Sequence, residues 1–327
     1  MRKLVLRVEN FPIAGQFTIA RGSKTEAAVV LAEITEGKLS GRGECVPYTR
    51  YKESIESVVA QIEKVKVELE EGADRLRIQE LMPAGAARSA VDCALWDLEA
   101  KKSGKRAHIL AGVSEMKPVE TAFTISLGSV DSMFEATKKS AHRSILKIKM
   151  GAPEGDLERI IAVRKAAPNS KLIADANEGW TSSNIMQHLE ACKEAGYSLI
   201  EQPIAAADDE VLRNFKRLVP ICADESVHGL VSLERLVGLY EFVNIKLDKT
   251  GGLTEALALA KAARLKKFGI MVGCMVSSSL AMAPAMIIAQ DAEFVDLDGP
   301  LLLARDRENG LRFDGSTVFP PSPELWG

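Results

Sequence analysis

The stretch Ser144-Ile145-Leu146-Lys147-Ile148-Lys149-Met150 decides how the rest of the chain is read. On a strand successive side chains point to opposite faces, so Ile145, Lys147 and Lys149 share one face while Leu146, Ile148 and Met150 share the other. Two ammonium groups on one face of an otherwise apolar strand are desolvated and repel each other, so opposite charge is expected nearby. The chain supplies it at intervals. Leu172-Ile173-Ala174-Asp175, Ser198-Leu199-Ile200-Glu201, Ile221-Cys222-Ala223-Asp224, Val243-Asn244-Ile245-Lys246 and Phe294-Val295-Asp296 each end an apolar run on a charged residue. From Lys149 to Lys246 the spacings are 26, 26, 23 and 22 residues, enough for a strand, a helix and two loops, so the segment reads as consecutive βα units.

Outward from that core, the rhythm starts with a strand at 119–127 and ends with strands at 269–273 and 293–297. Helices are expected at 155–166, from Thr181 or Ser182 to 195, at 209–218, 254–267 and 278–289, most of them closed by Gly or Pro. Eight strands with intervening helices predict a closed α/β barrel whose site lies at the C-terminal strand ends. Residues 1–112 lack this rhythm. Strands at 3–8, 27–34 and 39–45, with a turn at Thr35-Glu36-Gly37, precede a helix begun by Ser54 and ended by Gly72, then an Ala-rich helix at 86–102. That half reads as a small α+β domain, to which the Pro- and Gly-punctuated residues 301–327 are expected to return.

At 327 residues the chain is long enough for a barrel of roughly 250 residues plus a smaller domain. With 46% hydrophobic and 27% charged residues and a net charge of −3, nothing in the composition favours nucleic acid or an anionic membrane. Arg7 and Glu9 interrupt any apolar signal core at the start, and the longest apolar runs are too short to span a bilayer. Cys45, Cys93, Cys192, Cys222 and Cys274 are odd in number and show no CxxC spacing, which suits reduced thiols in the cytoplasm.

Asp175, Glu201 and Asp224 fall at successive strand ends, so three carboxylates converge on one rim. Three oxygen donors without His or Cys suit a hard cation with open positions, namely Mg²⁺. The alternative is three unrelated acidic strand ends paired with lysines. Lys246 lies about halfway round the barrel from Lys149, so the two ammonium groups would approach a central ligand from opposite faces. Crowded by Mg²⁺ or another lysine, each is expected to have a lowered pKa and to act as a base. Two bases flanking one carbon are what inversion by proton transfer requires, with Mg²⁺ stabilising the enolate and Lys147 donating to the same carboxylate oxygen.

Lys147-Ile148-Lys149, Asp175-Ala176-Asn177-Glu178-Gly179-Trp180, Glu201-Gln202-Pro203, Ala223-Asp224-Glu225-Ser226 and Asn244-Ile245-Lys246-Leu247-Asp248-Lys249-Thr250-Gly251-Gly252 together resemble the enolase superfamily, muconate-lactonising-enzyme subgroup, and within it the dipeptide epimerases. Gly43-Glu44-Cys45-Val46-Pro47-Tyr48 and Pro83-Ala84-Gly85-Ala86-Ala87-Arg88 extend the likeness into the first domain. The resemblance implies a modified TIM barrel, (β/α)7β, over residues 113–300 beneath an α+β capping domain over 1–112. It implies one Mg²⁺ per subunit on Asp175, Glu201 and Asp224, with Lys149 and Lys246 as the acid/base pair. Glu225 is expected to project elsewhere.

Asp296-Leu297-Asp298 resembles the D-x-D with which dipeptide epimerases hold the substrate's free α-ammonium, a salt bridge to Lys246 or a neighbour being the other reading. Arg21, in an early loop, suits the side-chain carboxylate of a Glu residue, although surface arginines are commoner than ligands. One departure stands out. Many subgroup members carry a Glu after the seventh strand, where this chain has Gly273-Cys274-Met275-Val276-Ser277-Ser278-Ser279.

The expected activity is epimerisation of a small dipeptide, L-Ala-D-Glu to L-Ala-L-Glu, which in a bacterium would serve degradation of cell-wall peptides. Homo-oligomerisation is left open. The alternatives are a cycloisomerase, an o-succinylbenzoate synthase, an N-acylamino-acid racemase, or a metal-dependent binding protein without turnover.

Overall fold

The computed structural model describes residues 2–327. Three antiparallel strands, Arg2–Ile19, Gly22–Glu36 and Leu39–Cys45, form the sheet of the cap. Val30, Ala32 and Ile34 face a core shared with Val58, Ile62, Leu69, Ile78, Ala90 and Ala94 of the helices behind it. The helix Ala86–Ser103 lies almost on the third strand. A Cβ at Gly41 or Gly43 would stand 2.1 Å from the carbonyl oxygen of Ala94 or Ala90, so only glycine permits that approach. Ser54 caps Ile55–Glu63 in a reciprocal box with Ser57, and the expected single helix breaks there before resuming at Lys66–Glu70.

The barrel strands, in order, are Phe123–Ile125, Ile145–Lys149, Lys171–Asp175, Leu199–Glu201, Ile221–Ala223, Phe242–Ile245, Gly269–Val272 and Phe294–Val295. They form one sheet whose spatial order is the sequence order, and the Ala122 N–H donates to Val295 O at 2.8 Å to bring its ends together. Leu146, Ile148 and Met150 pack outward in the shell between strands and helices. Ile145 instead joins Ile173, Leu199, Cys222, Met271 and Phe294 in a plug inside the barrel. The alternation of the second strand therefore sets Lys147 and Lys149 on the inner face, toward the C-terminal end from that plug.

Besides the broken cap helix, the expected 119–127 strand splits into Val119–Glu120, in a sheet with the C-terminal strands, and Phe123–Ile125 in the barrel, and two further elements differ from the sequence expectation. The helix Val130–Ser140, capped by Ser129, joins the first two barrel strands where no helix was expected. The 209–218 segment is a 3-10 turn, Asp209–Asn214, because the Asp209 carboxylate is buried and taken by Ser226 Oγ (2.6 Å), Arg235 Nη1 (2.5 Å) and Tyr240 OH (3.2 Å). Tertiary bonds there override the local helical preference.

The C-terminal segment touches both layers. Ala304 N–H donates to Pro12 O at 2.8 Å, Arg42 Nη2 to Leu325 O at 2.7 Å, and Thr317–Val318 pairs with Val119–Glu120. Among the described residues no helix is long and apolar enough to cross a membrane.

Candidate active site

A cavity of about 800 Å³ separates the cap from the barrel's C-terminal strand ends. Ile13, Phe17, Arg21, Lys24, Tyr48 and Arg50 line it from the cap, and Lys147, Lys149, Asp224, Lys246, Asp296 and Asp298 from the barrel. Lys149 ends the second strand and Lys246 follows the sixth, half the sheet apart, and both side chains are 8% exposed.

Charges alternate beneath the cavity. Lys149 Nζ donates to Asp175 Oδ2 at 2.6 Å, and Lys147 Nζ lies 2.7 Å from Glu201 Oε2, 2.7 Å from Asp296 Oδ2 and 3.1 Å from Asp175 Oδ2. Lys246 Nζ donates to Asp224 Oδ2 at 2.7 Å and stands 4.0 Å from Glu201 Oε1. Two residues overlooked in the sequence reading complete the cluster. Asn244 Nδ2 donates to Glu201 Oε1 at 2.8 Å, and Lys249 Nζ to Asp224 Oδ1 at 2.6 Å. Alternation from Lys246 gave the signal for Asn244, but Lys249 reaches Asp224 only because Leu247–Thr250 coils into a helical turn.

The expected metal ligands thus come together with lysines between them. As they stand, no three His, Cys, Asp or Glu side chains among the described residues are grouped closely enough to hold a metal, and Lys147 bridges Asp175 and Glu201. The donor set nevertheless fits a hard cation. Asp175 and Glu201 are registered neighbours on adjacent strands, all three carboxylates are buried, and Glu201 Oε2 has no hydrogen-bond donor, the nearby Lys147 ammonium lying off its bonding direction.

Burial pulls Lys147 and Lys246 down, but the carboxylates around them outweigh it and hold both well above the ordinary lysine range. The lowering expected for Lys149 and Lys246 presumes Mg²⁺ among these carboxylates, where its charge would offset theirs. Against burial, Lys149 and Lys147 hold Asp175 below the usual carboxylate range, and Lys246 and Lys249 do so for Asp224. Glu201 goes the other way, pushed up to about 7 by burial and by Asp175.

Loops after the strands are set by tight packing. A Cβ on Gly179 would lie 2.4 Å from Gly151 Cα, so the turns following Lys149 and Asp175 meet through glycine. Asp156 ties both, accepting from Gly151 N–H at 2.7 Å and Trp180 Nε1 at 2.8 Å. Between them Asn177 and Glu178 adopt φ of 45° and 69°, a left-handed conformation that non-glycine residues seldom take.

Glu178 there joins cap to barrel. Its carboxylate accepts from Arg50 Nε (2.8 Å) and Nη2 (2.7 Å), from Ala206 N–H (2.9 Å) and from Arg21 Nη1 (3.3 Å). Arg21 also donates to Asn177 O at 2.8 Å, Tyr48 OH at 3.2 Å and Glu225 Oε1 at 2.6 Å. Arg21 therefore sits over the cavity mouth but is engaged by protein. Glu225 does not project elsewhere as expected: it lines the cavity and is buried against Arg21, since the turn after Asp224 folds under the cap rather than continuing as strand.

Asp296 and Asp298 both reach the cavity. Asp296 pairs with Lys147, not Lys246, and its Oδ1 is buried without a donor; Asp298 Oδ2 accepts from Thr124 N–H at 2.6 Å. Burial and the charge of Asp296 push Asp298 up to about 7. Cys274, with Met275 and Val276, forms the wall after the seventh strand.

Comparison with known proteins matches residues 1–112 to the family described as mandelate racemase / muconate lactonizing enzyme, N-terminal domain, and residues 131–311 to the enolase C-terminal domain-like family. An L-Ala-D/L-Glu epimerase of Escherichia coli K12 is 45% identical over 96% of this chain and 98% of its own length. An N-acetyl-D-glutamate racemase of a Pseudoalteromonas species is 41% identical over 91% and 95%. The crystal structure of an Agrobacterium tumefaciens enolase family member with homology to dipeptide epimerases, holding sodium and L-Ala-L-Glu, superposes with a TM-score of 0.99 at 52% identity over all of both chains. A dipeptide epimerase of Enterococcus faecalis V583, complexed with Mg and L-Leu-L-Tyr, gives 0.92 at 27% identity over 99% of this chain and 98% of that one.

Proposed function

The chain belongs to the mandelate racemase / muconate lactonizing enzyme family of the enolase superfamily, and from that premise we propose that it is a Mg²⁺-dependent dipeptide epimerase acting on L-Ala-D-Glu and L-Ala-L-Glu. One observation carries the reading: Lys149 and Lys246 enter a single cavity from strands half the sheet apart. A ligand between them presents opposite faces of its α-carbon to the two side chains. The lysine present as the neutral amine takes the proton and becomes ammonium, and the other, already an ammonium, returns one from the far side and becomes the amine, so the centre inverts without any group leaving.

Asp175, Glu201 and Asp224 are the residues to hold Mg²⁺, which when bound would neutralise charge growing on the substrate carboxylate and engage oxygens that now face the lysines. Lys147, buried between those carboxylates and Asp296, adds positive charge at the same end of the ligand. Asp296 Oδ1, lacking a donor, and the Asp298 carboxyl beside it suit the ammonium of a free dipeptide. Arg21, over the mouth, suits the side-chain carboxylate of the second residue. The functional division is a cap of residues 1–112 with 301–327 and a catalytic barrel of 113–300. The five free thiols suit the reducing cytoplasm.

A second reading, racemisation of an N-acylated glutamate, is favoured by the Pseudoalteromonas relative. Deuterium uptake in D₂O across a dipeptide panel and N-acetyl-D-glutamate separates the two. Exchange confined to free dipeptides and abolished by EDTA supports epimerisation; faster exchange of N-acetyl-D-glutamate would favour the second reading, and full turnover in EDTA would remove the metal.

A further inference from the structure

Asp224 is gripped by two lysines that differ in where they stand. Lys246 lines the cavity, and its bond to Oδ2 must break whenever its ammonium turns to a ligand. Lys249 is 2% exposed and does not line the cavity, so it has no route to substrate. Its three ammonium protons are matched by three acceptors: Asp224 Oδ1 at 2.6 Å, Asp224 O at 2.6 Å and Asn244 O at 3.0 Å. A single side chain thereby staples the end of the fifth strand to the sixth and holds one carboxylate oxygen in place.

We propose that Lys249 is a positioning residue: it fixes the Asp224 carboxylate through Oδ1, so that the carboxylate keeps its orientation beside Lys246, and would keep it toward a divalent cation, while Lys246 moves protons. Without it, the carboxylate could rotate each time Lys246 let go. The anchor is itself fixed from the cap. Arg88 Nη2 donates to Thr250 O at 2.7 Å and Nε to Gly251 O at 3.1 Å, immediately beyond Lys249. Gly251 and Gly252 take φ of 74° and 108°, and a Cβ on Gly251 would lie 2.4 Å from Arg88 Nε, so the turn is shaped to that guanidinium. Positioning of this kind acts through another group, and removing a partner that orients a metal ligand typically costs about 10–100-fold in metal affinity or activity.

The inference rests on the metal-dependent epimerase reading, and its test separates the two. Mn²⁺ binding is measured by electron paramagnetic resonance without substrate, on wild type and Lys249→Met, which keeps the length and removes the charge. Expected are Mn²⁺ binding weaker by about 10–100-fold, a fall in kcat of at least that size at saturating Mg²⁺, and a KM for L-Ala-L-Glu within about threefold of wild type. A folded Lys249→Met that matches wild type within twofold in Mn²⁺ affinity and kcat would overturn the proposal. If Lys249→Met does not fold, Lys249→Arg decides: its planar fork keeps the charge but cannot meet three converging acceptors, so Mn²⁺ should bind at least about fivefold more weakly, and wild-type affinity would overturn the proposal. Wild type that binds Mn²⁺ but exchanges no dipeptide would refute the epimerase reading and leave the Lys249 comparison standing; wild type that binds no Mn²⁺ would overturn both.

Discussion

Asp296→Asn should weaken turnover of a free dipeptide far more than that of its N-acetylated form. The residue is 4% exposed, with Oδ2 held 2.7 Å from Lys147 and Oδ1 buried without a donor, so one oxygen is available to a ligand. Replacing it by an amide removes a charge-assisted hydrogen bond to the substrate ammonium. Such bonds contribute about 1.5–3 kcal/mol, and each 1.4 kcal/mol is tenfold, which gives a loss in kcat/KM of roughly 10- to 150-fold for L-Ala-L-Glu. The weakened partnership with Lys147 acts on every substrate, so it cancels in the ratio between L-Ala-L-Glu and N-acetyl-L-Ala-L-Glu. That ratio, read from α-proton exchange by NMR in D₂O, should therefore fall by about the same factor. Equal losses for the two substrates would refute the ammonium role and leave Asp296 as a counter-charge for Lys147.

Arg21→Leu should lower kcat/KM for L-Ala-L-Glu more than for L-Ala-L-Leu, by about tenfold if one charge-assisted contact is lost; equal losses would make Arg21 only a tie between Glu225, Asn177 and the cap. Asp248, buried, is pushed up to about 7 by burial and by Glu53 and Glu44, against the Val46 N–H and Lys246. Its folded pKa exceeds the unfolded value of about 3.9, so the native state binds more protons and stability falls as pH rises from about 4 to about 7. Asp248→Asn keeps an acceptor for Val46 N–H, now at 3.0 Å. It should be more stable than wild type by about 2–4 kcal/mol at pH 8 and similar at pH 4.5 in urea unfolding, the order of a three-unit shift. A gain that is the same at both pH values would refute the titration argument.

The barrel was legible because each βα unit leaves the same local trace, an apolar run that ends on a charged residue, and because alternation on Ile145–Lys149 separates the plug from the shell. The convergence of Lys147, Lys149, Asp175, Glu201, Asp224 and Lys246 followed from that repetition alone. What the sequence hid are bonds between segments far apart. Arg50 and Glu178 are separated by 128 residues, and no local pattern pairs them. Glu225 belongs to the same class: alternation turns it away from Asp224, and only the cap's Arg21 accounts for its burial. The partners of Lys147 were hidden for a related reason, since Asp296 and Glu201 come to it from strands that a linear reading does not bring within 2.7 Å. The 209–218 segment shows the converse, where a helical pattern yields to buried partners of Asp209.

The central claim is that Lys149 and Lys246 serve opposite faces of one carbon. Lys149→Ala and Lys246→Ala, incubated separately in D₂O with L-Ala-L-Glu and with L-Ala-D-Glu, test it through loss of the α-proton NMR signal. Each variant should fail to epimerise, and each should still exchange the proton of one epimer, the two variants choosing opposite epimers, at rates well below wild type because the site acts as a unit. Exchange of the same epimer by both variants, or epimerisation by Lys246→Ala, would contradict the two-base account and leave a one-base reaction in its place.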